Sequence, residues 1–352
     1  MVPTMKLYNL GKVPWDDSQL IYHALADLGR EGLILLSPAA PYVCIGFHQN
    51  AEQEVDLAFC RRNGIPVFRR EVGGGAVYLD GGQLFFQLVL HADNPLIPAT
   101  KEAFYRKFLE PVVGAYRRLG IAAEYKPIND VMAGARKISG SGVGEIGSGV
   151  VFVGNLIVDF NYEMMARVLK VPDEKFRDKV HKTLVENLST LRRELGDAAA
   201  AAWTEERLDA LLIEAFANLL GSFEPAVLDP ELRSRVDALR PLMLSDSWLL
   251  QRRGRGAGRD IRIRAGLHLL HRVHKARGGL LRADFELKEG RFSGVSISGD
   301  FFCYPPDAIR RLEAGLEGRR PQDVREVLRD FSARQALEIP GVDEDDWAVL
   351  LA

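Results

Sequence analysis

Residues 69–83 read Arg-Arg-Glu-Val-Gly-Gly-Gly-Ala-Val-Tyr-Leu-Asp-Gly-Gly-Gln. Three successive glycines, Gly73, Gly74 and Gly75, leave about 10 Å of backbone without a side chain, at roughly 3.3–3.6 Å per residue. Such a segment lets backbone N–H groups approach an anion or a flat ligand closely. Arg69 and Arg70 precede it and suit forked binding of carboxylate or phosphate. Val67 and Phe68 before the glycines, and Ala76, Val77 and Tyr78 after them, have strand character. The loop is therefore expected between two strands. Dinucleotide-binding and Walker-type glycine loops open a helix instead. Composition alone also suits an ordinary flexible turn.

A second segment, Arg136-Lys137-Ile138-Ser139-Gly140-Ser141, follows Asn129-Asp130 and the apolar pair Val131-Met132. Lys137 is expected in a short strand-like run that stops at Gly140. An ammonium aimed into a partly closed site can neutralise an oxyanion or a phosphate. Asp130 is an oxygen ligand of the kind magnesium takes beside nucleotide phosphates. The alternative is a solvated hairpin over 133–136 with Lys137 on its outside.

Together these segments resemble the lipoate-protein ligase family, within the biotin/lipoate ligase and octanoyltransferase superfamily. The first family pattern is Arg-Arg-x-x-Gly-Gly-Gly-x-Val-x-His-Asp-x-Gly-Asn, matched at Arg69, Arg70, Gly73, Gly74, Gly75, Val77, Asp80 and Gly82. The second, Asn-Asp followed by Lys-x-x-Gly-Ser, is matched at Asn129, Asp130, Lys137, Gly140 and Ser141. Ile45-Gly46-Phe47-His48-Gln49-Asn50 with Glu54-Val55 is similar to the family's Gly-x-x-Gln-Asn segment and the Glu-Val after it. Gly154-Asn155-Leu156 and the run Val171-Pro172-Asp173-Glu174-Lys175-Phe176-Arg177-Asp178-Lys179 extend the likeness. The chain departs from the pattern at Leu79, where the family has His, and at Gln83, where it has Asn. Val153-Gly154-Asn155 stands for His-Gly-Thr or His-Gly-Ser, and Phe47 stands where many members are basic. These departures bear on substrate detail more than on reaction type.

The resemblance implies two half-reactions: lipoate (or octanoate) and ATP give an acyl-adenylate and pyrophosphate, and a lysine of a carrier protein then takes the acyl group. It implies Lys137 as the catalytic residue. Arg70, Gly73, Gly74, Gly75, Val77, Tyr78, Leu79, Asn129, Lys137, Ser139 and Gly140 are the implied substrate- and nucleotide-binding residues, and Asp130 the implied magnesium ligand. ATP and Mg2+ are the expected cofactors, with lipoate as substrate. The expected partner is a lipoyl carrier domain, of a 2-oxoacid dehydrogenase E2 or a glycine-cleavage H-like protein. No membrane or nucleic-acid partner is expected.

Transferases of the superfamily use a cysteine thiolate. Residues 61–302 hold no cysteine, and Cys44 reads as strand core. A non-catalytic lipoate-binding protein stays open because of Leu79 and Val153. The Gly-Arg-Gly-Arg signature of biotin ligases is absent from the catalytic region, and Arg253-Gly254-Arg255-Gly256 lies elsewhere.

The rest of the chain bounds these readings. Its 352 residues, 47% hydrophobic and 27% charged, suit two globular domains, one large and one small. A net charge of −2 makes no global demand for nucleic acid or membrane. No apolar run reaches the length of a transmembrane helix, and the first 14 residues lack a signal-peptide pattern. Three scattered cysteines suggest a reducing cytoplasm and no disulfide framework.

Residues 33–36, 42–45, 85–90 and 150–158 read as strands. Lys101 to Leu119 has Phe104, Phe108, Val112, Ala115 and Leu119 at helical spacing, and Asp173 to Asn187 and Trp203 to Leu220 read as helices. The fold class is therefore α+β, with a mixed or antiparallel sheet flanked by helices, resembling the biotin/lipoate ligases. Prolines at 225, 230 and 241 suggest a boundary, giving a catalytic domain over 1–225 and an accessory domain over 226–352. From Arg252 to Arg282 there are nine Arg and one Lys against one acid, Asp260. This basic run reads as a mobile loop over 252–259, either a solvated face or a dock for an acidic partner. A hairpin of 280–285 and 292–298 across Lys288-Glu289-Gly290, then Gly299-Asp300-Phe301-Phe302 and a helix from about Asp307 to Leu316, resembles the family's accessory domain. Octanoyltransferases generally lack that domain. His268, His271 and His274 are spaced by three, a weak metal signal.

Overall fold

Continuous apolar runs with few charges, such as Leu33-Ile34-Leu35-Leu36 and Leu84-Phe85-Phe86, belong in strands covered on both faces. The computed structural model places them at the centre of a sheet; it describes residues 4–252, 261–264, 267–334 and 337–352. The described residues fall into two units. One comprises the chain up to Cys44, Asp56–Phe68 and Val77–Ser245; the other comprises Ile45–Val55, Arg69–Ala76 and Asp246–Ala352.

The first unit is built on strands β1 (Met5–Val13) and β2 (Gly32–Pro38), and a small sheet is formed by β3 (Tyr42–Ile45), β4 (Val67–Arg69) and β5 (Val77–Leu79). The chain continues through β6 (Gln83–His91), β7 (Ala123–Lys126), β8 (Asp130–Ala133), β9 (Arg136–Ile146), β10 (Gly149–Ile157) and β11 (Phe223–Pro225). The main sheet has eight strands in the order β11-β1-β2-β6-β10-β9-β8-β7. Its β11-β1-β2 edge is parallel and the rest antiparallel, so the sheet is mixed. The glycine loop does lie between two strands, β4 and β5.

Helices cover the sheet as their apolar spacing requires. Helix Lys101–Arg118 buries Phe104, Phe108, Val112 and Ala115, and Thr100 caps its start by accepting from the Ala103 N–H. Helix Glu205–Leu220 buries Leu208, Leu212, Phe216 and Leu220. Helix Glu174–Asn187, capped by Asp173, buries no residue, and Phe176 is 48% exposed. Of the three prolines at the expected boundary, Pro225 ends β11, Pro230 opens a helix and Pro241 lies inside it. That helix, Pro230–Met243, is held to helix Asp17–Asp27 by Arg233 and Arg240, whose guanidinium nitrogens lie 3.1 and 2.7 Å from the buried Asp17 carboxylate. Among the described residues no helix is long and apolar enough to cross a membrane.

Strand β9 differs from expectation. It does not stop at Gly140 but runs to Ile146, and it carries a bulge near its start. Val131 of β8 pairs with Ser139 and Met132 with Lys137, leaving Ile138 as the extra residue. The buried Tyr116 hydroxyl donates to the Ile138 carbonyl at 2.7 Å and accepts from the Ile157 N–H at 3.2 Å. The Ser189 N–H donates to the Lys137 carbonyl at 2.8 Å. These bonds satisfy backbone groups at the bulge that would otherwise be stranded away from water.

The second unit holds an antiparallel sheet of β12 (Ile261–Arg264), β13 (Leu267–Ala276), β14 (Gly279–Lys288) and β15 (Arg291–Gly299). Lys288 pairs with Arg291 across Glu289 and Gly290, both at positive φ, as a two-residue hairpin demands. Its core joins Phe285, Phe292, Ile297 and Phe301 to Leu312 and Trp347 from helices Ala308–Leu316 and Glu344–Leu350. The basic run at 253–259 lies outside the described residues.

Tyr116→Phe removes the hydroxyl that joins Ile138 to Ile157 and leaves a buried carbonyl without its donor. It should cost about 1–3 kcal/mol of stability, read from the shift in a urea unfolding midpoint.

Candidate functional site

The bulge in β9 determines how Lys137 is presented. With Ile138 buried in the core, Lys137 keeps its side chain 35% exposed, and its ammonium lies 2.6 Å from Oδ1 of Asp130. Asp130 starts β8 and pairs with Gly140 of β9. The Lys137 head crosses above Gly140: a Cβ on that residue would meet Lys137 Cε at 3.2 Å and Nζ at 3.4 Å. Asn129 is locked to Ser141 in both directions. Its Nδ2 donates to the Ser141 carbonyl, and its own carbonyl accepts from the Ser141 hydroxyl at 2.8 Å. The buried Ser139 hydroxyl donates to the Asn155 carbonyl at 2.6 Å. The first unit therefore brings Asn129, Asp130, Lys137, Ser139 and Gly140 into one cluster, an exposed cation over close-packed backbone.

Val77, Tyr78 and Leu79 form β5, paired with Cys44, Val43 and Tyr42 of β3. Val77 is exposed at 37%, while Tyr78 and Leu79 are buried. Burial, and then the neighbouring Asp80, push the Tyr78 hydroxyl above its ordinary pKa. Asp80 is itself raised, mainly by burial, although it accepts from the Gly82 N–H at 2.9 Å.

A connection that the motifs alone did not disclose joins this strand to the lysine segment. Gln83 Nε2 donates to the Tyr78 carbonyl at 3.3 Å, Asn155 Nδ2 donates to Gln83 Oε1 at 3.2 Å, and the Gly140 N–H donates to Asn155 Oδ1 at 3.2 Å. Both amides occupy positions where the chain departs from the family pattern. An amide at each position was the only signal in the sequence, and their meeting depends on strand order.

The second unit holds Arg70 and the three glycines. Arg69 was expected to serve anions, but it is fully buried and donates to the carbonyls of Gly46, Phe47, Gln49, Trp248 and Leu249. A guanidinium has five N–H groups and no acceptor, so it can gather carbonyls from several segments. Arg70 Nη2 donates to the carbonyls of Gly73 and Gly75 at 2.8 and 3.0 Å, which folds the loop back on its own start.

The glycines meet close neighbours. A Cβ on Gly73 would lie 2.7 Å from the Phe301 carbonyl oxygen and 3.0 Å from Phe302 Cα. Gly74 has φ +92° and donates its N–H to Phe301 O at 3.3 Å. A Cβ on Gly46 would lie 1.9 Å from Gly74 O. The expected Gly299-Asp300-Phe301-Phe302 turn thus packs on the glycine loop.

His48 is buried and stacks on Phe301 at 4.9 Å. Burial, then Arg252, Arg69 and Arg310, hold it well below the ordinary imidazole pKa. Phe47, where the family is often basic, has its ring 6.3 Å from that of Trp248. Glu54 forms an ion pair with Arg282 of β14.

All three cysteines are buried. Burial pushes the Cys60 thiol up to about 11 and Cys303 up to about 12. His271 and His274 pair with Asp284 and Asp346, each at 2.7 Å, and the His268 side chain lies outside the described residues. Spacing by three on a strand sends residues to opposite faces. Among the described residues no group of three or more His, Cys, Asp and Glu is placed to hold a metal ion. Magnesium at Asp130 would therefore rest on one protein carboxylate plus substrate phosphates and water, the way nucleotide-bound magnesium is held.

The glycine loop gives an internal control. Gly46→Ala and Gly73→Ala force backbone apart and should each cost about 1–3 kcal/mol. Gly75→Ala, whose Cβ would meet only Asp300 Cβ at 3.8 Å, should change stability by less than about 0.5 kcal/mol in the same urea titration.

Residues 14–217 match the family model described as the lipoyl protein ligase A/B catalytic domain. Lipoate-protein ligase A subunit 1 of Thermoplasma acidophilum is 38% identical over 159 residues, 42% of this chain and 59% of that protein, so the match spans under two thirds of that relative. A solved structure from that archaeon, of a bi-partite lipoate protein ligase and its E2 lipoyl domain, aligns with TM-score 0.61 at 26% identity, covering 72% of this chain and 99% of the other. Lipoate-protein ligase LplJ of Bacillus subtilis is 28% identical over 293 residues, covering 82% of this chain and 81% of LplJ. The crystal structure of lipoate-protein ligase A bound with ATP aligns with TM-score 0.57 at 26% identity, covering 70% of this chain and 99% of that one. With more than half of its residues in the family model, and that model laid over the β4–β5 glycine loop and the bulged lysine strand, the chain belongs to the lipoyl protein ligase A/B catalytic domain family.

Proposed function

We propose that this protein is an ATP-dependent lipoate-protein ligase. In the first half-reaction a lipoate or octanoate carboxylate oxygen attacks the α-phosphorus of ATP, and the bond to pyrophosphate breaks. In the second, the amine of a carrier lysine attacks the acyl carbon, the bond to AMP breaks, and the amine gives up a proton as the amide forms. The single observation carrying this reading is Lys137. It is an ammonium delivered by a bulge, poised over Gly140 and steadied by Asp130. Negative charge that develops at a phosphoryl or acyl oxygen is the problem of both steps, and a fixed cation is the remedy.

The remaining residues take roles that suit them. Arg70 and the Gly73–Gly75 amides are proposed for the nucleotide phosphates, with Gly74 exchanging the Phe301 carbonyl for phosphate oxygen. Val77, Tyr78 and Leu79 offer an apolar border, and Asn129, Ser139 and Gly140 frame Lys137. Magnesium, when bound, would neutralise phosphate charge, and Asp130 would hold it after releasing Lys137. The ATP-bound and E2-containing neighbours support ATP and a lipoyl carrier domain as substrate and partner. The proposed carrier is a lipoyl domain of the E2 or the H-like class. Three free cysteines suit a reducing cytoplasm.

A second reading, a cysteine-dependent acyltransferase, is favoured by octanoyltransferases among the relatives. Against it stand three buried thiols, two of them raised far above neutrality, which leaves almost no thiolate for attack.

Pyrophosphate release with ATP, magnesium and lipoate separates the two. Lys137→Ala should reduce it by about 100-fold or more. Gly140→Ala, which pushes on Lys137 without removing it, should fall between that variant and the wild type. A Cys44→Ala/Cys60→Ala/Cys303→Ala chain should retain release and carrier lipoylation. ATP-independent transfer from an acylated carrier, lost in the cysteine-free chain, would establish the acyltransferase instead.

A further inference from the structure

Strands β9 and β10 share a regular antiparallel ladder from Gly149 and Ile146 as far as Gly154 and Ser141. There it ends, because the bulge at Ile138 carries the start of β9 toward β8. Beyond that point β9 is held to β10 by side chains. Asn155 Oδ1 accepts from the Gly140 N–H at 3.2 Å, standing in for a ladder carbonyl, and the Asn155 backbone carbonyl accepts from the Ser139 hydroxyl at 2.6 Å. The amide cannot turn freely, since its Nδ2 is committed to Gln83 Oε1 at 3.2 Å, and Gln83 Nε2 is committed to the Tyr78 carbonyl at 3.3 Å. Each link in this series sets a donor against an acceptor, and turning either amide over would set donor against donor and acceptor against acceptor, so one orientation of both amides satisfies it.

The close fit extends below the amides. A Cβ on Gly154 would lie 2.3 Å from Phe86 Cζ and 3.0 Å from the Gly140 carbonyl oxygen, so β10 approaches Gly140 closely from this side too. Gly140 in turn is the floor under the Lys137 ammonium.

Resting on the ligase reading, we infer that Gln83 and Asn155 are a coupled pair of positioning residues: through the Gly140 N–H they set the height and direction of Lys137, and through the Tyr78 carbonyl they register it to β5. Neither amide touches Lys137. Their effect passes through backbone, and a misplacement on the ångström scale is enough to cost about 100-fold in rate.

The test is a double-mutant cycle of Gln83→Ala and Asn155→Ala with two readouts. One is kcat and KM for lipoate-dependent pyrophosphate release. The other is the rate at which Lys137 is reductively methylated by formaldehyde and cyanoborohydride, mapped by mass spectrometry, which needs no enzymatic activity. Each single variant should lower kcat by about tenfold with less change in KM for ATP, and should speed methylation of Lys137 as its pairing with Asp130 loosens. The double variant should lose little beyond the worse single one, because the two amides act as one unit. Gln83→Asn, which shortens the reach while keeping the amide, serves where an alanine variant fails to fold, and Asn155→Gln with Gln83→Asn should restore part of the loss. Unchanged Lys137 methylation and unchanged kcat in folded variants, or losses that simply multiply in the double variant, would overturn the inference. Altered methylation with no pyrophosphate release even in the wild type would leave the positioning pair standing and remove the ligase reading instead.

Discussion

A strand that leaves its neighbour must find new partners for its backbone, and the start of β9 is organised around that constraint. The bulge at Ile138 breaks the regular ladder, yet its polar groups are not stranded. The Ile138 carbonyl takes the Tyr116 hydroxyl, the Lys137 carbonyl takes the Ser189 N–H, and the Gly140 N–H takes the Asn155 amide. Partners from a helix, a loop and a neighbouring strand therefore converge on three residues, Lys137, Ile138 and Gly140. The same bulge that creates the need also turns Lys137 outward while Ile138 stays in the core. Structural cost and chemical presentation have one origin.

The second unit solves a comparable problem with charge. Arg69 is fully buried and collects backbone carbonyls from residues 46–49 and 248–249. Carbonyl dipoles can satisfy a buried guanidinium if enough of them point inward, and the loop carbonyls are satisfied in the same act. Arg70 does this on a smaller scale, drawing the Gly73 and Gly75 carbonyls together. Two adjacent arginines that look alike in sequence thus differ in depth. Arg69 is the last residue of β4 and lies fully buried beside Phe68, whereas Arg70 lies past the end of the strand, in the glycine loop.

Much of the architecture was legible because it rests on local pattern. The apolar runs at 33–36 and 85–90 became central strands, and the spacing of Phe104, Phe108 and Val112 became the buried face of a helix. The Lys288-Glu289-Gly290 turn produced a hairpin longer than expected, because the twist matched by two positive-φ residues lets pairing extend on both sides. Local pattern failed where a distant residue decided the outcome. Gly140 looked like a strand end, but pairing with β10 carries β9 to Ile146. Spacing along the chain also says nothing of the helix over Pro230–Met243, which Pro230 opens and ion pairs to Asp17 hold in place. Spacing could not show that His271 and His274 would each pair with a carboxylate, Asp284 and Asp346.

The sequence by itself determined the loop of three glycines between strands, the lysine segment with its Asn-Asp partner, the α+β class and the family those motifs resemble. Each of these depends on residue type at short spacing, which a chain carries however it folds. Only the tertiary structure decided that Arg69 is a buried organiser, that Phe301 and Phe302 press on Gly73 and Gly74, and that Gln83 and Asn155 join Tyr78 to Gly140. Those pairings span from 5 to more than 200 residues and depend on strand order, bulge position and the direction in which each side chain leaves its strand. None of these is encoded by spacing along the chain, because hydrogen bonds are satisfied by proximity in space and not by separation in sequence.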